Sequence, residues 1–553
     1  MFTSALNDIL FTLVPARPNS IIKDEILSGI DPSLQNDYQR AAEKALSKPL
    51  PVLAASDWIY QPDKYLDARL NRREMLFQLM LGYAVTKSSR YIPRIIDLSW
   101  AITEEAVWSE AADIALIDAP EEDDFAFETA SLLSWVWHLC GQEIGKASKF
   151  ALHRIEDAVS RRILSPFSQQ EAPEWTTRRG EKTFQRLLTL LSAFILIDTR
   201  DKRRWVSIRR IFNMLDSLIK DIPADGVHPV NIETWQTDLQ ALTDAATLVL
   251  YATDERVDLK TDKKYQRMAD YAVSAHMGGG LFANPDGAPS PVLMGETVYK
   301  IGYGAGNPSL KKLGAALGEG QMSAPGISVT DKMLTSIIHR HFLAEAARYP
   351  IRKRVSLPLG KVVSAYANGF QATIVGGSRL IGHEDACNLF ITHHQDPIFF
   401  DPGANHSRAK YHSCPVVNGK TVCQGFSGAR DVEAKFEEAY TYLFANLSPA
   451  FPESAGVASW QRTVMLSPYE KRVRIVESYD FVSPAESAVI RYVTPMRPEK
   501  TPTGSIRIGN TILSSENDLP MNIEEMDAAY AIEIPIENPG MRGTYAFILE
   551  SEI

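Results

Sequence analysis

The connector between two predicted helices carries two side chains that are able to transfer protons. His228 and Glu233 lie in PADGVHPVNIETW, where Pro223, Gly226 and Pro229 keep the backbone irregular. Connectors of this kind often present binding groups, and a histidine needs little tuning to act as a base near neutral pH. We therefore predict catalytic roles for His228 and Glu233. The alternatives are that His228 is an ordinary loop residue and that Glu233 favours a helix N-terminus through the helix dipole.

Two other segments carry side chains of similar interest. Tyr299 and Tyr303 belong to GETVYKIGYGAG, a glycine-rich stretch that either lines a binding cleft or presents surface aromatics. Tyr303 is our third predicted catalytic residue. GYGAG lacks the G-K-S/T ending of a phosphate-binding loop. Arg178 and Arg179 either neutralise a substrate carboxylate or solvate a helix end.

The elements that position these residues differ between the two parts of the chain. From about residue 35 to 350 apolar residues recur with a helical period, as Met75, Leu79 and Tyr83 do in segment 71–86. Similar patterns predict helices over 91–107, 125–139, 184–198, 205–220, 234–252 and 263–275. Short polar connectors separate them, which is typical of antiparallel helical hairpins.

After about residue 350 the pattern changes to strand-like alternation. KVVSAYANGFQATIVGGS is broken at Asn368-Gly369 and at Gly376-Gly377, and NLFITHHQDPIFFDPG is typical of two strands joined by a turn. We expect His393 and His394, which precede this turn, to face solvent. Further strands are predicted in RVRIVESYDFV, SAVIRYVTP, IEIPIE and GTYAFILES. The sequence therefore predicts a helical domain over 1–349 and an antiparallel β-sandwich over 350–553.

Composition narrows the class of protein. A chain of 553 residues exceeds what one compact core usually supports, so two large domains are expected. The formal net charge of -10 argues against a nucleic-acid partner, although a locally basic cleft is still compatible with an acidic substrate. The four cysteines form no C-x-x-C pair, which argues against a structural zinc knuckle. Cys140 is predicted to be a buried thiol, and a disulfide among the other three stays open.

The N-terminal segment shows no targeting pattern. It lacks a basic region, and Asp8 interrupts its apolar run, so no signal peptide is predicted and a cytoplasmic location is expected. A chain already trimmed of its signal would look the same and would be periplasmic or secreted. No stretch approaches 18 uninterrupted apolar residues, so no membrane span is predicted.

Four ordered stretches resemble the heparinase II/III family of polysaccharide lyases. Segments 72–108 and 126–144 together resemble the helical repeats of the family. GHEDACNLFITHHQDPIFFDPG is similar to its H-x-D-x-x-S-F strand and following D-x-G, and YHSCPVVNGKTVCQG to its S-x-x-H-N-x-x-x-V-N-G-x-x-Q segment. NLSPAFPESAGVASWQRTV resembles its "A-Y-P…R" strand. The resemblance implies an incomplete (α/α) toroid followed by an antiparallel β-sandwich, with a cleft for an acidic polysaccharide between them.

The resemblance also implies a metal site in the sandwich. Carried over motif by motif, its ligands are His383, Asp401 and His412, and imidazole with carboxylate suits a divalent metal such as zinc. A tight turn at residues 395–396 is able to bring the strand ends with His383 and Asp401 side by side. Because Asp401 and His412 are close in sequence, His406 is an alternative ligand. The other interpretation is that these are ordinary polar residues at strand ends.

The acid and base positions depart from the family pattern. The family uses an asparagine or histidine and a tyrosine from the toroid, and a histidine two residues before the first metal ligand. Here Ile381 occupies that last position, Thr234 stands where the tyrosine is expected, and TRRGEKTFQ contains no asparagine. Three hypotheses follow: a lyase with an altered acid/base set, a non-catalytic relative that binds glycan or scaffolds other proteins, and a metal-assisted glycan hydrolase.

Overall fold

Helices form the first part of the chain and strands form most of the second. The computed structural model describes residues 1–109, 124–169, 174–176, 180, 182–285, 287–318, 328–376, 388–403, 406, 408–421 and 428–552. The helices are α1 Leu6–Thr12, α2 Asp24–Leu27, α3 Pro32–Ser47, α4 Ala55–Tyr60, α5 Pro62–Thr86, α6 Ile92–Thr103, α7 Asp124–Ala147, α8 Lys149–Val159, α9 Ser165–Gln169, α10 Thr183–Leu196, α11 Asp201–Lys220, α12 Ile232–Ala252, α13 Lys263–Ala275, α14 Gly295–Gly304, α15 Pro308–Leu317 and α16 Val329–Leu343. None of these helices is long and apolar enough to cross a membrane.

The strands begin with a short pair inside the helical part, β1 His276–Gly278 and β2 Leu281–Phe282. The others are β3 Arg354–Leu357, β4 Val362–Ala367, β5 Phe370–Val375, β6 Asn388–His393, β7 Asp396–Phe399, β8 Val416–Val417, β9 Arg430–Phe436, β10 Thr441–Asn446, β11 Val457–Leu466, β12 Arg472–Phe481, β13 Ala488–Thr494, β14 Glu499–Lys500, β15 Ile506–Ile508, β16 Thr511–Ser515, β17 Asn522–Glu525, β18 Tyr530–Ile536 and β19 Arg542–Ser551.

The longer helices form a toroid of inner and outer members. α7 packs on α10, α10 on α12 and α12 on α14, while the intervening helices return on the outside. Asp124 at the start of α7 contacts Lys182 and Arg186 at the start of α10, and the Gln236 amide accepts a hydrogen bond from the Met294 N–H just before α14. These inner helices therefore begin at the same end of the toroid, which is called the entrance rim below.

α16 crosses the inside of the toroid. The hydroxyl of Thr330, in its first turn, accepts a hydrogen bond from the Trp135 indole of α7. Lys300 of α14 forms buried ion pairs with Asp331 of α16 and Asp244 of α12. Because these charged groups satisfy one another in the interior, α16 is fixed against several inner helices at once.

The sandwich consists of two antiparallel layers. One is an eight-stranded sheet in the order β14-β15-β16-β19-β12-β11-β10-β9. The other combines the sheets β3-β4-β5-β6-β7 and β17-β18-β13-β8, which meet where the Phe400 N–H donates to the Val493 carbonyl. Burial alternates along β12, so that Val473 and Ile475 enter the core, which is the pattern of a strand with one covered face.

The sandwich is joined to the toroid through the five-stranded sheet. Gln371 of β5 donates to the His276 carbonyl at 2.8 Å, and Thr392 of β6 donates to the Met277 carbonyl at 3.1 Å. The connector before α12 makes a further contact, in which Asp225 accepts from the Gly360 N–H at 2.8 Å. The start of α12 therefore belongs to the side of the toroid that faces the sandwich.

The predicted fold class, an (α/α) toroid followed by an antiparallel β-sandwich, is confirmed. Helix ends at Leu343 and β3 begins at Arg354, and the predicted domain limit of 349/350 lies between them. Cys140 is a fully buried free thiol, as predicted. The prediction for His393 is wrong: its side chain packs on Phe370 and is 3% exposed, because it occupies the last position of β6 rather than the turn.

Candidate functional site

His228 lies in the connector at the sandwich side of the toroid, but its imidazole points into the interior. The residue is only 1% exposed. Its Nδ1 accepts from the Val230 N–H at 3.3 Å, so Nε2 carries the proton and donates to Asp238 at 3.2 Å. The structure therefore places His228 in the predicted segment, but a substrate would reach it only if the connector opened. Its role as a base stays a prediction.

Glu233 lies in the first turn of α12, at the entrance rim. Asn231 caps this helix, since its side chain accepts from the Thr234 N–H at 2.8 Å. The Glu233 carboxylate is half-buried and accepts hydrogen bonds from Asn284 at 2.9 Å and from the Ala288 N–H at 3.0 Å. Both oxygens thus have partners within the protein, and its catalytic role also stays a prediction.

Tyr303 lies in a different part of the toroid. Its phenol is 48% exposed and stacks on His341, with ring centroids 5.5 Å apart. The adjacent Gly304 lies against Thr243, which is about 16 Å further along α12 than Ile232. The structure therefore does not bring Tyr303 together with Glu233 at the entrance rim. Tyr299, by contrast, is buried against Phe342.

Asp401 and His412 form a buried pair in the sandwich, each side chain 2% exposed. The ring Nδ1 of His412 donates to Asp401 Oδ2 at 3.0 Å, and Asn388 donates to the same oxygen. Asp401 Oδ1 accepts from the Gly403 N–H at 2.8 Å. The family resemblance implied that these two side chains lie together, and in the structure they do. Two of the three predicted metal ligands are thereby adjacent.

The described residues supply only part of the predicted metal site. His383 lies outside the described residues, as do Arg178 and Arg179, and within the described part no group of three His, Cys, Asp or Glu side chains converges as a metal site. Because both Asp401 oxygens accept hydrogen bonds, this carboxylate fits the role of a residue that orients His412 better than the role of a direct ligand. A metal would then bind His412 through Nε2.

Glu128, in the first turns of α7, is a candidate residue that the sequence analysis missed. Burial raises the pKa of its carboxyl to about 7, although hydrogen bonds from the Val329 N–H and the Thr189 hydroxyl favour the charged form. A carboxyl group with this pKa is able to exchange protons at neutral pH. The available signal was a single acidic residue in the otherwise apolar stretch AFETASLLSWVW.

Two groups of ion pairs among the described residues lie at the entrance rim or on the helices next to it. Asp124 is shared by Lys182 and Arg186, at 2.9 and 2.6 Å. On the neighbouring helices, Glu105 is shared by the buried Arg69 and Arg73, at 3.2 and 2.8 Å, and by Arg72 at 3.4 Å. In each of these two groups the cations outnumber the carboxylate. The positive N-terminal ends of the inner helices lie at the same rim, so the potential next to these groups favours an anion.

No family model matches the sequence, and no curated protein matches it. Solved structures do match. A heparinase III covers 99% of this chain and 88% of its own, with 11% identity and a TM-score of 0.63. Heparan sulfate lyase HepC from Pedobacter heparinus covers 94% and 83%, with 12% identity and a TM-score of 0.60. A variant of the Streptomyces coelicolor A3 chondroitin AC lyase covers 100% and 82%, with 11% identity and a TM-score of 0.52. At these identities the likeness shows a shared fold.

Proposed function

We propose that this chain cleaves an acidic, uronate-containing polysaccharide or oligosaccharide by β-elimination at the junction of toroid and sandwich. The observation that carries the proposal is the placement of a cationic entrance rim on the side that faces the sandwich. The shared fold with solved enzymes named as heparan sulfate and chondroitin lyases supports the reaction class.

β-Elimination on a uronate has three chemical needs. The sugar carboxylate must be neutralised, a base must remove the α-proton, and an acid must protonate the departing oxygen. Lys182 and Arg186 supply an excess of positive charge for the first need. For proton transfer we assign Glu128 ahead of His228, because Glu128 is partly exposed in the first turns of α7 at the entrance rim, whereas His228 is inaccessible in this conformation.

The reaction is tested by incubating the protein with a panel of uronate-containing polysaccharides. Elimination creates a conjugated double bond, so ultraviolet absorbance should rise together with the number of chain ends. New reducing ends without absorbance would indicate hydrolysis and contradict the proposal. With no new chain ends from any member of the panel, β-elimination is also contradicted.

The assignment of Glu128 is tested separately by Glu128→Gln. We expect turnover to fall at least about tenfold and the limb of the pH profile near 7 to disappear, since the amide cannot exchange the proton. Glu74→Gln, at an exposed position on α5, is the matched control and should leave both unchanged. An unaltered pH profile in Glu128→Gln would contradict the assignment even if turnover fell.

We also propose a divalent metal, zinc by preference, at His412 together with His383. His412 is buried and oriented by Asp401, which supports a ligand role. Metal analysis of the purified protein tests this: wild type should carry about one equivalent, and His412→Ala should lose it, with a lower melting temperature. Equal metal content in the two proteins would contradict the assignment.

The second candidate is a non-catalytic relative that binds acidic glycan. It is favoured by one specific observation, the burial of His228 with both ring nitrogens hydrogen-bonded. If this candidate is correct, calorimetry should detect binding of the same polysaccharides, weakened by salt, without any change in chain length or absorbance.

A further inference from the structure

A short loop lies between the toroid and the sandwich next to the Asp401–His412 pair. Its described residues are 284, 285 and 287–290, and it is called the bridging loop below. On the toroid side, the buried Asn284 accepts from the Ile232 N–H of α12 at 2.8 Å and donates to the Ala288 carbonyl at 2.8 Å. The Glu233 carboxylate accepts from Asn284 and from the Ala288 N–H. These bonds fix the loop to the first turn of α12.

The opposite side of the bridging loop contacts the sandwich. Gly403 adopts a left-handed backbone with φ of 106°, and a Cβ added there would lie 3.3 Å from the Gly287 carbonyl oxygen and 3.4 Å from Pro289. The N–H of Gly403 is the group that donates to Asp401 Oδ1 at 2.8 Å. The bridging loop, which Glu233 binds, therefore lies beside the residue that donates to Asp401, with no room for a larger residue's unhindered side chain between them.

The bridging loop is packed so tightly against Glu233 and Asn284 that Gly287 has no room for a side chain. A Cβ added to Gly287 would lie 2.2 Å from the Asn284 amide nitrogen and 2.7 Å from the Glu233 carboxylate. Only glycine allows the side chains of Glu233 and Asn284 to come this close to the backbone. The loop is also closed on itself by the bond from the Phe282 N–H to the Pro289 carbonyl at 3.0 Å.

We propose that Glu233 is a positioning residue: it holds the bridging loop as a strut between the two domains and so fixes the Asp401–His412 pair relative to the entrance rim. Both carboxylate oxygens of Glu233 accept hydrogen bonds from the loop, whereas a catalytic base would need one oxygen available to the substrate. A role limited to the helix dipole would require neither contact. The catalytic part of this inference rests on the proposed function, whereas the strut itself does not.

Glu233→Gln and the exchanged pair Glu233→Gln with Asn284→Asp test the strut. In the single variant the new amide group meets the Asn284 amide, donor against donor, or else gives up the Ala288 N–H. In the double variant the new amide donates to the new carboxylate, which still accepts from the Ile232 N–H, while the amide oxygen accepts from the Ala288 N–H. The bond from residue 284 to the Ala288 carbonyl is lost in the double variant, because a carboxylate cannot donate, so we expect a partial rescue. Ser290→Ala removes another hydrogen bond of the loop, to the Gly280 carbonyl, and is the matched control.

Two measurements read the outcome. Hydrogen exchange followed by mass spectrometry should show at least about tenfold faster exchange over 284–290 and 400–403 in Glu233→Gln, with wild-type exchange in the control and slower exchange in the double variant than in the single one. Turnover of the uronate substrate should fall about tenfold or more in Glu233→Gln with KM little changed, and should recover in part in the double variant.

If Glu233→Gln exchanges hydrogen at the wild-type rate, Glu233 does not hold the bridging loop in place and the proposal is contradicted. Recovery of exchange without recovery of turnover in the double variant would show that the carboxylate itself is needed at position 233, and would overturn the positioning role in favour of catalysis. If the wild-type protein cleaves none of the uronate polymers, the proposed function fails, and the exchange measurement alone still decides whether Glu233 holds the two domains together.

Discussion

Replacing Glu477 by glutamine should be one of the most destabilising single changes in the sandwich. Glu477 and Arg462 are both 0% exposed, and Arg462 Nε lies 2.6 Å from Glu477 Oε1. The Trp460 indole donates to Oε2 at 2.8 Å, and the Tyr492 hydroxyl donates to Oε1 at 3.3 Å. Burial alone would lower the pKa of Arg462, but attraction to Glu477 outweighs it and the pKa is raised. Because the intrinsic pKa of a guanidinium lies far above neutral pH, Arg462 stays charged when its partner is lost.

The expected loss of stability follows from replacing the Glu477 carboxylate, which accepts from Arg462, Trp460 and Tyr492, by a neutral amide. An amide presents only one acceptor oxygen, so either the Arg462 or the Trp460 contact becomes donor against donor. Removing one member of a buried ion pair costs about 3–5 kcal/mol, because the other charge stays desolvated. Replacing both partners by apolar residues of similar size is often neutral. We therefore expect Arg462→Met with Glu477→Leu to be less destabilised than Glu477→Gln alone.

Urea unfolding followed by Trp fluorescence and far-ultraviolet circular dichroism measures these differences. Because the chain has two domains, the transition of the sandwich must first be assigned, for which Trp460 beside the network is a suitable reporter. A loss below about 1 kcal/mol in Glu477→Gln, or a double variant less stable than the single one, would refute the reasoning.

Three further predictions concern the toroid. Burial lowers the pKa of His138 to about 4, below its unfolded value near 6.5, so the unfolded chain binds more protons between these two pH values. The contribution of His138 to stability should therefore be complete above pH 6.5 and should fall by roughly 3 kcal/mol towards pH 4. Urea unfolding at several pH values measures this loss. Lys300→Met leaves Asp244 and Asp331 facing each other without a cation, and should cost about 3–5 kcal/mol and speed hydrogen exchange in α16. Gly314→Ala places a Cβ 2.5 Å from the Tyr299 backbone nitrogen and should lower stability by about 1–3 kcal/mol in the same urea assay.

Matched variants separate these effects from general perturbation. His153→Gln removes a histidine whose side chain is 74% exposed and should leave the acid-induced loss intact, whereas His138→Gln should reduce it. A smaller loss should stay in His138→Gln, because burial also lowers the pKa of His276 and of His393. Lys202→Met changes an exposed lysine and should leave stability unchanged within about 0.5 kcal/mol. Gly145→Ala in α7 meets only the flexible end of Leu152, at 3.2 Å, and should be neutral or slightly stabilising. Equal behaviour of a variant and its control would contradict the corresponding prediction.

The order of elements could be predicted from periodicity, because burial on one face leaves a repeat in the sequence. Val473 and Ile475 are buried on one face of β12, and Ile208, Ile211 and Leu215 are buried along α11 at helical spacing. The convergence of Asp401 and His412 was implied by the motifs that resemble the lyase family, and not by periodicity.

The accessibility of the site residues could not be predicted in the same way. His228 and Glu233 belong to one connector, yet His228 points inward to Asp238 and Glu233 points to the bridging loop. No period applies to an irregular segment, so its sequence does not say which side chains face inward. Tyr303 was grouped with them on composition, and its position depends on helix packing that the sequence does not reveal.

The motif residues of this chain divide by physical role. Arg462 comes from the stretch resembling the "A-Y-P…R" strand, and it is wholly buried on Glu477, where it stabilises the sandwich. Asp401 accepts a hydrogen bond from the His412 ring and so orients it. Thr234 lies in the first turn of α12, at the entrance rim. Since function depends on the site rather than the scaffold, the chemistry of this chain depends on what Glu128, Glu233 and the cations of the entrance rim do together.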